Sequence, residues 1–542
     1  MKLAGSPISP GLAMGTVSLV GDIFEYCAPA QTAAPFDSES EWARVQSAFA
    51  ATRQDIAEAE SRLEREVSSE VADVFRAHQL MLDGLLSSGQ ITAQLREPGV
   101  DASAAVRRVF RAWTQKFEAL SDPTFQQRAD DVADLGRRVL RHLEGADPSQ
   151  LARVPEGAVV AARRILPSDV VALAEREVAA ILVESLGQAS HAALLAREKS
   201  IPTIAIAGVL QHVHDGDDVL VDAYGGALLI DADAPARAEF EKRVLDYRAR
   251  LERCNVTCHQ PARTVDGMRI RVEANLGTRR DVELALGNGA DGVGLFRIEQ
   301  VYLGRELPPT EDELFEEMQA TAAPLRDKPL TIRLLDVGGD KPLRFLHTPK
   351  EANPSLGLRG IRLLLRQPAL LRTQLAAFIR LSRGQEVRVL VPMVTLENDI
   401  RAARELFEEV CAAVHVESRP AFGAMIETPA AALAIPSIAP HVDFLSVGTN
   451  DLTQYTFAAG RDDPNVNDYF QDGHDALLRL LAIIVEDAGD HLPITLCGEL
   501  AGREDLLPRL LAIGLRSFSI APPLIPGMKE RIRGLRVGNA GP

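Results

Sequence analysis

The feature that most constrains this chain is a repeat of short apolar runs, each followed by a helical stretch, over its last roughly 280 residues. Seven runs read as strands: Ile270–Ala274, Gly292–Leu295, Leu330–Leu335, Val387–Val391, Ala421–Ile426, Phe444–Val447 and Ile494–Cys497. Ser517–Ile520 makes one more. Parallel strands need long crossovers, and helices supply them. About eight strands with intervening helices fit a (β/α)8 TIM barrel, whose chemistry sits at the C-terminal ends of the strands.

The positions of charged residues agree with that frame. Arg297 follows Gly294-Leu-Phe296, and Arg333 stands near the end of its run, with Asp336 just beyond. Glu427 follows Ala424-Met-Ile426; Asn450 and Asp451 follow Ser446-Val-Gly-Thr449; Cys497 closes its run ahead of Gly498 and Glu499. One such residue reads as an ordinary loop polar group, but five agreeing strands point to one polar rim. Arg297, Arg333, Arg359, Arg362 and Arg461 offer forked donors suited to phosphate and carboxylate. Glu427 and Asp451 are hard oxygen ligands that, with a phosphate, fit Mg²⁺. This donor set suits phosphoryl transfer. Cys497 reads either as a proton donor or as a small buried apolar residue.

Gly287-Asn-Gly289-Ala-Asp-Gly292 fits a dinucleotide fingerprint by letter. The fingerprint requires a strand before it and a helix after it, and here the order is reversed. No Walker A pattern occurs in the chain.

The first half is organised differently. Gly5–Gly11 reads as a turn-rich loop and Gly15–Val20 as a short strand. Phe36–Asp83 contains no Gly or Pro and carries apolar residues at helical spacing, which resumes across Ala102–Leu120 and Asp130–Leu143. Strands are expected at Gly157–Ala162, Ala179–Val183, Val219–Asp222 and Ala227–Ile230, then a charged connecting helix over Ala234–Arg253. Gly187-Gln-Ala-Ser190-His191 falls at a strand-to-helix turn, where backbone N–H groups favour a phosphoryl group. His191 there is a candidate nucleophile toward phosphorus, although a lone histidine at a helix start is more often a cap or packing residue.

The chain has 542 residues and a net charge of −17, a poor match to nonspecific nucleic-acid or anionic-membrane binding. Its length corresponds to roughly three or four domains. Five cysteines, Cys27, Cys254, Cys258, Cys411 and Cys497, make no disulfide framework and read as cytosolic thiols. Cys254, Cys258 and His259 lack a second ligand pair at zinc-site spacing. The start of the chain does not read as a signal peptide, and no apolar stretch is long enough to span a membrane. A cytoplasmic protein is expected.

Several motifs together resemble enzyme I of the bacterial phosphotransferase system, the phosphoenolpyruvate–protein phosphotransferase family. They are Ser190-His191 with Ala196-Arg197 and Ile201-Pro202; Gly292–Arg297 with Glu299; Leu335–Lys341; Asn353–Arg359; Met425–Pro429; Gly448–Tyr455; and Cys497–Ala501. Arg128–Val132 with Asp134 is similar to the family's carrier-docking insert. The resemblance runs nearly end to end. It implies an α/β phosphohistidine domain (1–25 and 147–232), an inserted all-α HPr-binding domain (26–146), a helical linker (233–262) and a phosphoenolpyruvate-binding, dimerising barrel (263–542). It implies His191 as the phosphorylated histidine, with the carrier HPr as acceptor in sugar uptake. Arg297, Arg333, Asn450 and Arg461 are implied as substrate contacts, and Arg359 as a further basic position. Glu427 and Asp451 are the implied Mg²⁺ ligands, and Cys497 the acid that yields pyruvate.

Some positions depart from the family pattern: Leu186 for glycine and Ala189 for threonine ahead of Ser190-His191, Leu166 before Pro167, Ile298 and Gln300 after Arg297, and Gly460 before Arg461. These changes bear on rate, affinity and carrier identity more than on reaction class. They keep open a degenerate regulatory paralogue. A dikinase relative would need an ATP-binding domain, for which the chain has no room. The nitrogen branch usually carries an extra N-terminal sensory domain that this sequence does not show, which favours the sugar branch.

Overall fold

In the computed structural model, the described residues are 1–21, 37–66, 81–118, 123–144, 150–186, 191–302, 305–338, 343, 345–346, 351, 353–416, 419–460 and 466–537. Cys27, Gly187–Ser190, Asp340, Lys341 and Arg461 lie outside them. The chain divides into two compact units, Met1–Ala249 and Arg250–Pro542.

The first unit is built on an eight-stranded sheet. Its strands are β1 (Lys2–Ala4), β2 (Ser6–Ser9), β3 (Leu12–Val20), β4 (Val159–Ala162), β5 (Ala180–Val183), β6 (Thr203–Ala205), β7 (Asp218–Asp222) and β8 (Ala227–Ile230), in the order β1-β8-β7-β3-β4-β5-β6-β2. β3 to β6 run parallel. The segment expected as a loop at Gly5–Gly11 in fact supplies β2 and is preceded by β1; β6 was not expected either. Pairing to distant partners makes strands of them: Ala4 with Ala227 and Ser6 with Ala205. Prolines are tolerated there because β2 is an edge strand.

Alternation along β4 and β5 divides the packing between two faces. Val160, Ile181 and Val183 share a core with helical residues such as Val45, Phe49, Val106, Phe110 and Leu140. Val159, Ala161, Ala180 and Leu182 join the opposite core with Val219, Val221 and Leu228. Each buried Val, Leu or Ile contributes about 1.5–3 kcal/mol, so neither face is dispensable. Described helices over the first face are Ser38–Glu66, 81–87, Gln90–Leu95, Ala102–Glu118 and Pro123–Glu144. The expected connecting helix spans Ala234–Thr257, and its Phe240 and Val244 pack on Leu220 of the first sheet.

The second unit is a closed barrel of eight parallel strands: β10 (Arg269–Leu276), β11 (Val293–Arg297), β12 (Leu330–Arg333), β13 (Val387–Val394), β14 (Ala421–Ile426), β15 (Phe444–Gly448), β16 (Ile494–Cys497) and β17 (Ser517–Ile520). A short β9 (Ala262–Arg263), not foreseen in the sequence, pairs antiparallel with β10. The barrel closes because β10 pairs with both β11 and β17. All eight expected strands are present. Among the described residues, no helix is long and apolar enough to cross a membrane.

The Gly287–Gly292 segment joins helix Arg279–Gly287 to β11, the reverse of a dinucleotide fingerprint. Its Gly289 has φ +80°, and a Cβ there would come within 2.2 Å of Cys258 O. The buried Lys529 fastens the same turn through Gly289 O and, at 2.9 Å, Asp291 Oδ1. Gly289 and Gly292 thus serve close packing, the latter against Pro329. Cys254 and Cys258 are buried, and the Cys258 thiol donates to Asn255 O at 3.1 Å.

Candidate active site

Parallel register brings the polar strand ends to one rim. Arg297 and Arg333, the last residues of β11 and β12, are direct partners, as are Gly448 and Cys497 of β15 and β16. Glu427 follows β14 immediately, and helix Thr449–Phe457 starts as β15 ends, carrying Asn450 and Asp451.

Two arginines are locked between carboxylates. Arg333 Nη2 donates to Glu299 Oε1 at 2.9 Å, and its Nη1 lies 3.2 Å from Asp336 Oδ2. Arg359 donates from Nε to Asp336 Oδ1 at 3.2 Å and from Nη2 to Asp336 Oδ2 at 2.8 Å. Its Nη1 reaches Asp451 Oδ1 at 3.0 Å and Tyr455 Oη at 3.3 Å. Burial works against both guanidinium charges, and the surrounding carboxylates outweigh it, so both are held firmly protonated. Arg333 Nε is buried with no hydrogen-bond partner among the described residues. An unused donor in such a place is suited to an incoming oxygen. Gly360, next to Arg359, lets the chain pack closely on Met393: it has φ +54°, and a Cβ there would lie 2.8 Å from Met393 Cβ.

Glu427 is 1% exposed. Met393 N donates to its Oε1 at 2.5 Å, from an irregularity in the β13–β14 pairing between Val391 and Val394. Met393 has φ +56°, a conformation costly for a non-glycine residue, and that conformation aims the N–H at the carboxylate. Burial pushes Glu427 up to about 8, with Asp451 and Asp336 adding to the rise and Arg333 and Arg359 opposing it. Its Oε2 lies over Gly448, where a Cβ would come within 2.9 Å. The residues fit a divalent cation: two hard carboxylates share a pocket of unfavourable negative charge, and Gly448 leaves room beside one of them. Among the described residues, no group of three or more His, Cys, Asp or Glu side chains is arranged to hold a metal ion by itself. Such an ion would therefore draw its other ligands from substrate or water.

Cys497 is 1% exposed, within a wall of Leu295, Leu390, Met425 and Phe444. Burial pushes its thiol up to about 12, which keeps the proton on sulfur at neutral pH. The sulfur donates to Val447 O at 3.2 Å, and Thr449 Oγ1 donates to Cys497 O at 3.0 Å. Asn450 Oδ1 accepts from Glu499 N at 2.8 Å, tying the β15 and β16 ends together.

His191 begins helix His191–Glu198, which follows β5, as the turn reading expects. Arg197 donates to Ile8 O at 3.3 Å, and Ser9 Oγ donates to Ala196 O at 3.2 Å, fixing this helix to β2. Nearby, Leu166 has no side-chain oxygen to cap helix Pro167–Glu175; Asp169 Oδ2 accepts from Leu166 N at 2.9 Å instead. Asp169 is held in turn by Arg137 at 2.5 Å. The His191 side chain and Arg461 lie outside what is described.

Among the expected residues, Glu427 stands within electrostatic reach of each of Arg333, Arg359, Asp451 and Cys497. Arg297 and Asn450 join them at the rim. The sequence reading gave no role to Glu299, Asp336, Tyr455 or Met393. The first three stand inside the quoted motifs, so their signal was present; nothing in the sequence marked the backbone of Met393.

Residues 252–537 match the family described as PEP-utilising enzyme, PEP-binding domain. Residues 154–226 match the mobile domain of PEP-utilising enzymes, and residues 4–128 their N-terminal domain. A phosphoenolpyruvate-protein phosphotransferase of Haloferax volcanii is 38% identical over 501 residues, covering 90% of this chain and 86% of the relative. Proteins of the same name from Geobacillus stearothermophilus and Bacillus subtilis are 34% and 33% identical, covering 92% and 91% of this chain and 88% of each relative. With the barrel rim, the mobile domain and the N-terminal domain all accounted for, the chain belongs to the phosphoenolpyruvate-protein phosphotransferases, enzymes that use phosphoenolpyruvate for phosphoryl transfer.

Proposed function

We propose that this enzyme moves the phosphoryl group of phosphoenolpyruvate to His191 and from there to a histidine of the carrier HPr, as the first step of sugar uptake in the cytoplasm. The observation that carries this reading is the meeting of Arg333, Arg359, Glu427, Asp451 and Cys497 at one barrel rim. Arg297, Arg333, Arg359, Asn450 and Arg461 bind the phosphate and carboxylate of the substrate, the guanidinium forks matching both groups. Glu427 and Asp451 hold Mg²⁺, which when bound offsets charge on the phosphate and carboxylate oxygens. His191 attacks in its neutral form, and the start of its helix favours the added phosphoryl group. Loss of that group leaves an enolate, and the protonated Cys497 delivers a proton to its methylene carbon to give pyruvate. The division into 1–25 with 147–232, 26–146, 233–262 and 263–542 assigns the histidine, the carrier surface, the linker and the dimerising barrel to successive parts.

The test is labelling with phosphoenolpyruvate radiolabelled in its phosphate, with Mg²⁺, on wild type and His191→Ala. Acid-labile label on wild type alone, chased onto added HPr, is expected. A well-folded wild type that takes no label would overturn the reading; label that stays on the protein would overturn HPr as the acceptor.

A further inference from the structure

The Cys497 sulfur has two partners on the neighbouring strand. It donates to Val447 O at 3.2 Å, and Ser446 Oγ lies 3.3 Å away. A thiol has one hydrogen. With that hydrogen on Val447 O, the Ser446 hydroxyl is the donor and the sulfur lone pairs accept. Ser446 is 1% exposed, and its side chain has no other hydrogen-bond partner among the described residues. The pairing of β15 with β16 holds it in place: Gly448 stands opposite Cys497, and Ser446 opposite Thr495. Thr449, the other hydroxyl nearby, is engaged with the Cys497 carbonyl.

We infer that Ser446 is a positioning residue for the proton-transfer half of the reaction, holding the Cys497 sulfur through an O–H···S hydrogen bond that strengthens as the sulfur gives up its proton. The inference rests on the reading of Cys497 as the acid. In that step the S–H bond breaks and a C–H bond forms at the methylene carbon. The electron pair of the enolate makes the new bond, its oxygen becomes the ketone of pyruvate, and the negative charge passes to sulfur. The thiolate regains a proton from water after pyruvate leaves.

The surroundings make this hydrogen bond consequential. The apolar wall disfavours a thiolate most, Glu427 adds to that from the end of β14, and Arg333 opposes it from the end of β12. A hydrogen bond to an ionised partner is roughly twice as strong as one between neutral groups. Ser446 thus contributes little while the sulfur is neutral and more as charge develops, and only such late-strengthening interactions speed the step.

The test uses the full chain carrying Ser446→Ala. Single-turnover pyruvate formation from phosphoenolpyruvate with Mg²⁺ is measured in H2O and D2O, with melting followed alongside. The saturated rate is expected to fall about tenfold, with the half-saturating phosphoenolpyruvate concentration unchanged. The solvent isotope effect is expected to rise, because proton transfer has become the slower step. Ser446→Thr keeps the hydroxyl and is expected to retain the wild-type isotope effect. A rate for Ser446→Ala within about twofold of wild type overturns the inference, as does a fall without a larger isotope effect. So does a threonine variant that behaves like alanine. Cys497→Ala separates the inference from its base. If that variant makes pyruvate at the wild-type rate, the assignment of the acid falls; if it is inactive while Ser446→Ala is normal, only the role of Ser446 falls.

Discussion

Arg359 spans from Asp336 to Asp451, with Nη2 2.8 Å from Asp336 Oδ2 and Nη1 3.0 Å from Asp451 Oδ1. One guanidinium thereby ties the loop after β12 to the helix after β15. Tyr455 supports it by accepting from Arg359 Nη1 and donating to Ser355 O at 2.5 Å. The carboxylate of a proposed cation ligand already has a positive partner within the protein.

That pairing predicts competition. A divalent ion at Asp451 must share the carboxylate with Arg359 or displace it, and the nearby positive charge also repels the ion. Arg359→Ala is expected to tighten Mn²⁺ binding without substrate by about tenfold, while phosphoenolpyruvate binding weakens. Free Mn²⁺ measured by electron paramagnetic resonance reads the first effect directly. Unchanged or weaker Mn²⁺ binding would show that the guanidinium does not guard the site.

Asp336 is the shared anchor of the two arginines. Its side chain is 3% exposed, and Glu299 Oε1 accepts from its backbone N at 3.0 Å. Asp336→Ala removes one carboxylate from two buried cations, although Glu299 and Asp451 remain. A loss of about 2 kcal/mol is expected, below the full cost of an uncompensated buried charge. Combining it with Arg359→Ala should cost less than the two single changes added together, by about 1 kcal/mol. Urea denaturation of the single and double variants provides the comparison, and strict additivity would show that the two residues are not coupled.

The barrel was legible because each strand is a short apolar run, and polar residues at or just past the ends of five of those runs mark the rim. Arg333, Glu427 and Cys497 could be found that way, since a strand end fixes direction as well as position. β1, β2, β6 and β9 were not legible. They are two to four residues long, and pairing rather than pattern makes them strands: Ala262 with Ile270 across a short turn, and Thr203 with the more distant Ile181. The helical region reads clearly as helix, but its shared core with β4 and β5 is a tertiary fact that periodicity does not carry. Met393 is the clearest omission. Its role comes from a positive φ at a pairing irregularity, and a methionine gives no sign of either.

Glu273 offers a pH-dependent test away from the rim. It is buried in β10, its Oε2 has no hydrogen-bond partner among the described residues, and Arg388 Nη1 lies 3.5 Å from Oε1. Burial raises its pKa above the usual carboxylate value, with Arg388 and Arg271 opposing. The folded chain therefore keeps this proton at a pH where the unfolded chain has lost it. Stability from this group is full below the unfolded value of 4.5 and declines as pH rises through the folded one. Glu273→Gln cannot ionise, and Arg388 keeps Glu386 at 2.9 Å. The melting temperature of the variant relative to wild type is expected to rise by about 2 °C between pH 5 and pH 8. A difference that stays flat with pH would show that Glu273 is not the group responsible.

Gly498 should tolerate no side chain, for reasons separable by a control. It has φ +97°, and a Cβ there would lie 2.2 Å from Thr449 Oγ1 and 2.9 Å from Asn450 Oδ1. Those two side chains hold the Cys497 carbonyl and the Glu499 N–H, so displacing them moves the ends of β15 and β16 apart, and Asp451 with them. Gly267 also has a positive φ, +86°, but nothing lies within 4 Å of its Cβ position. Gly267→Ala should therefore cost only backbone strain, about 1 kcal/mol, and leave turnover intact. Gly498→Ala should carry the same strain and also lose at least about a hundredfold in pyruvate formation, because small misplacements of reacting groups are that costly. Thermal melts and single-turnover rates on both variants decide the point. Equal activity in the two would mean that the strand ends absorb the clash and that the Thr449–Asn450 contacts do not set the geometry of the rim.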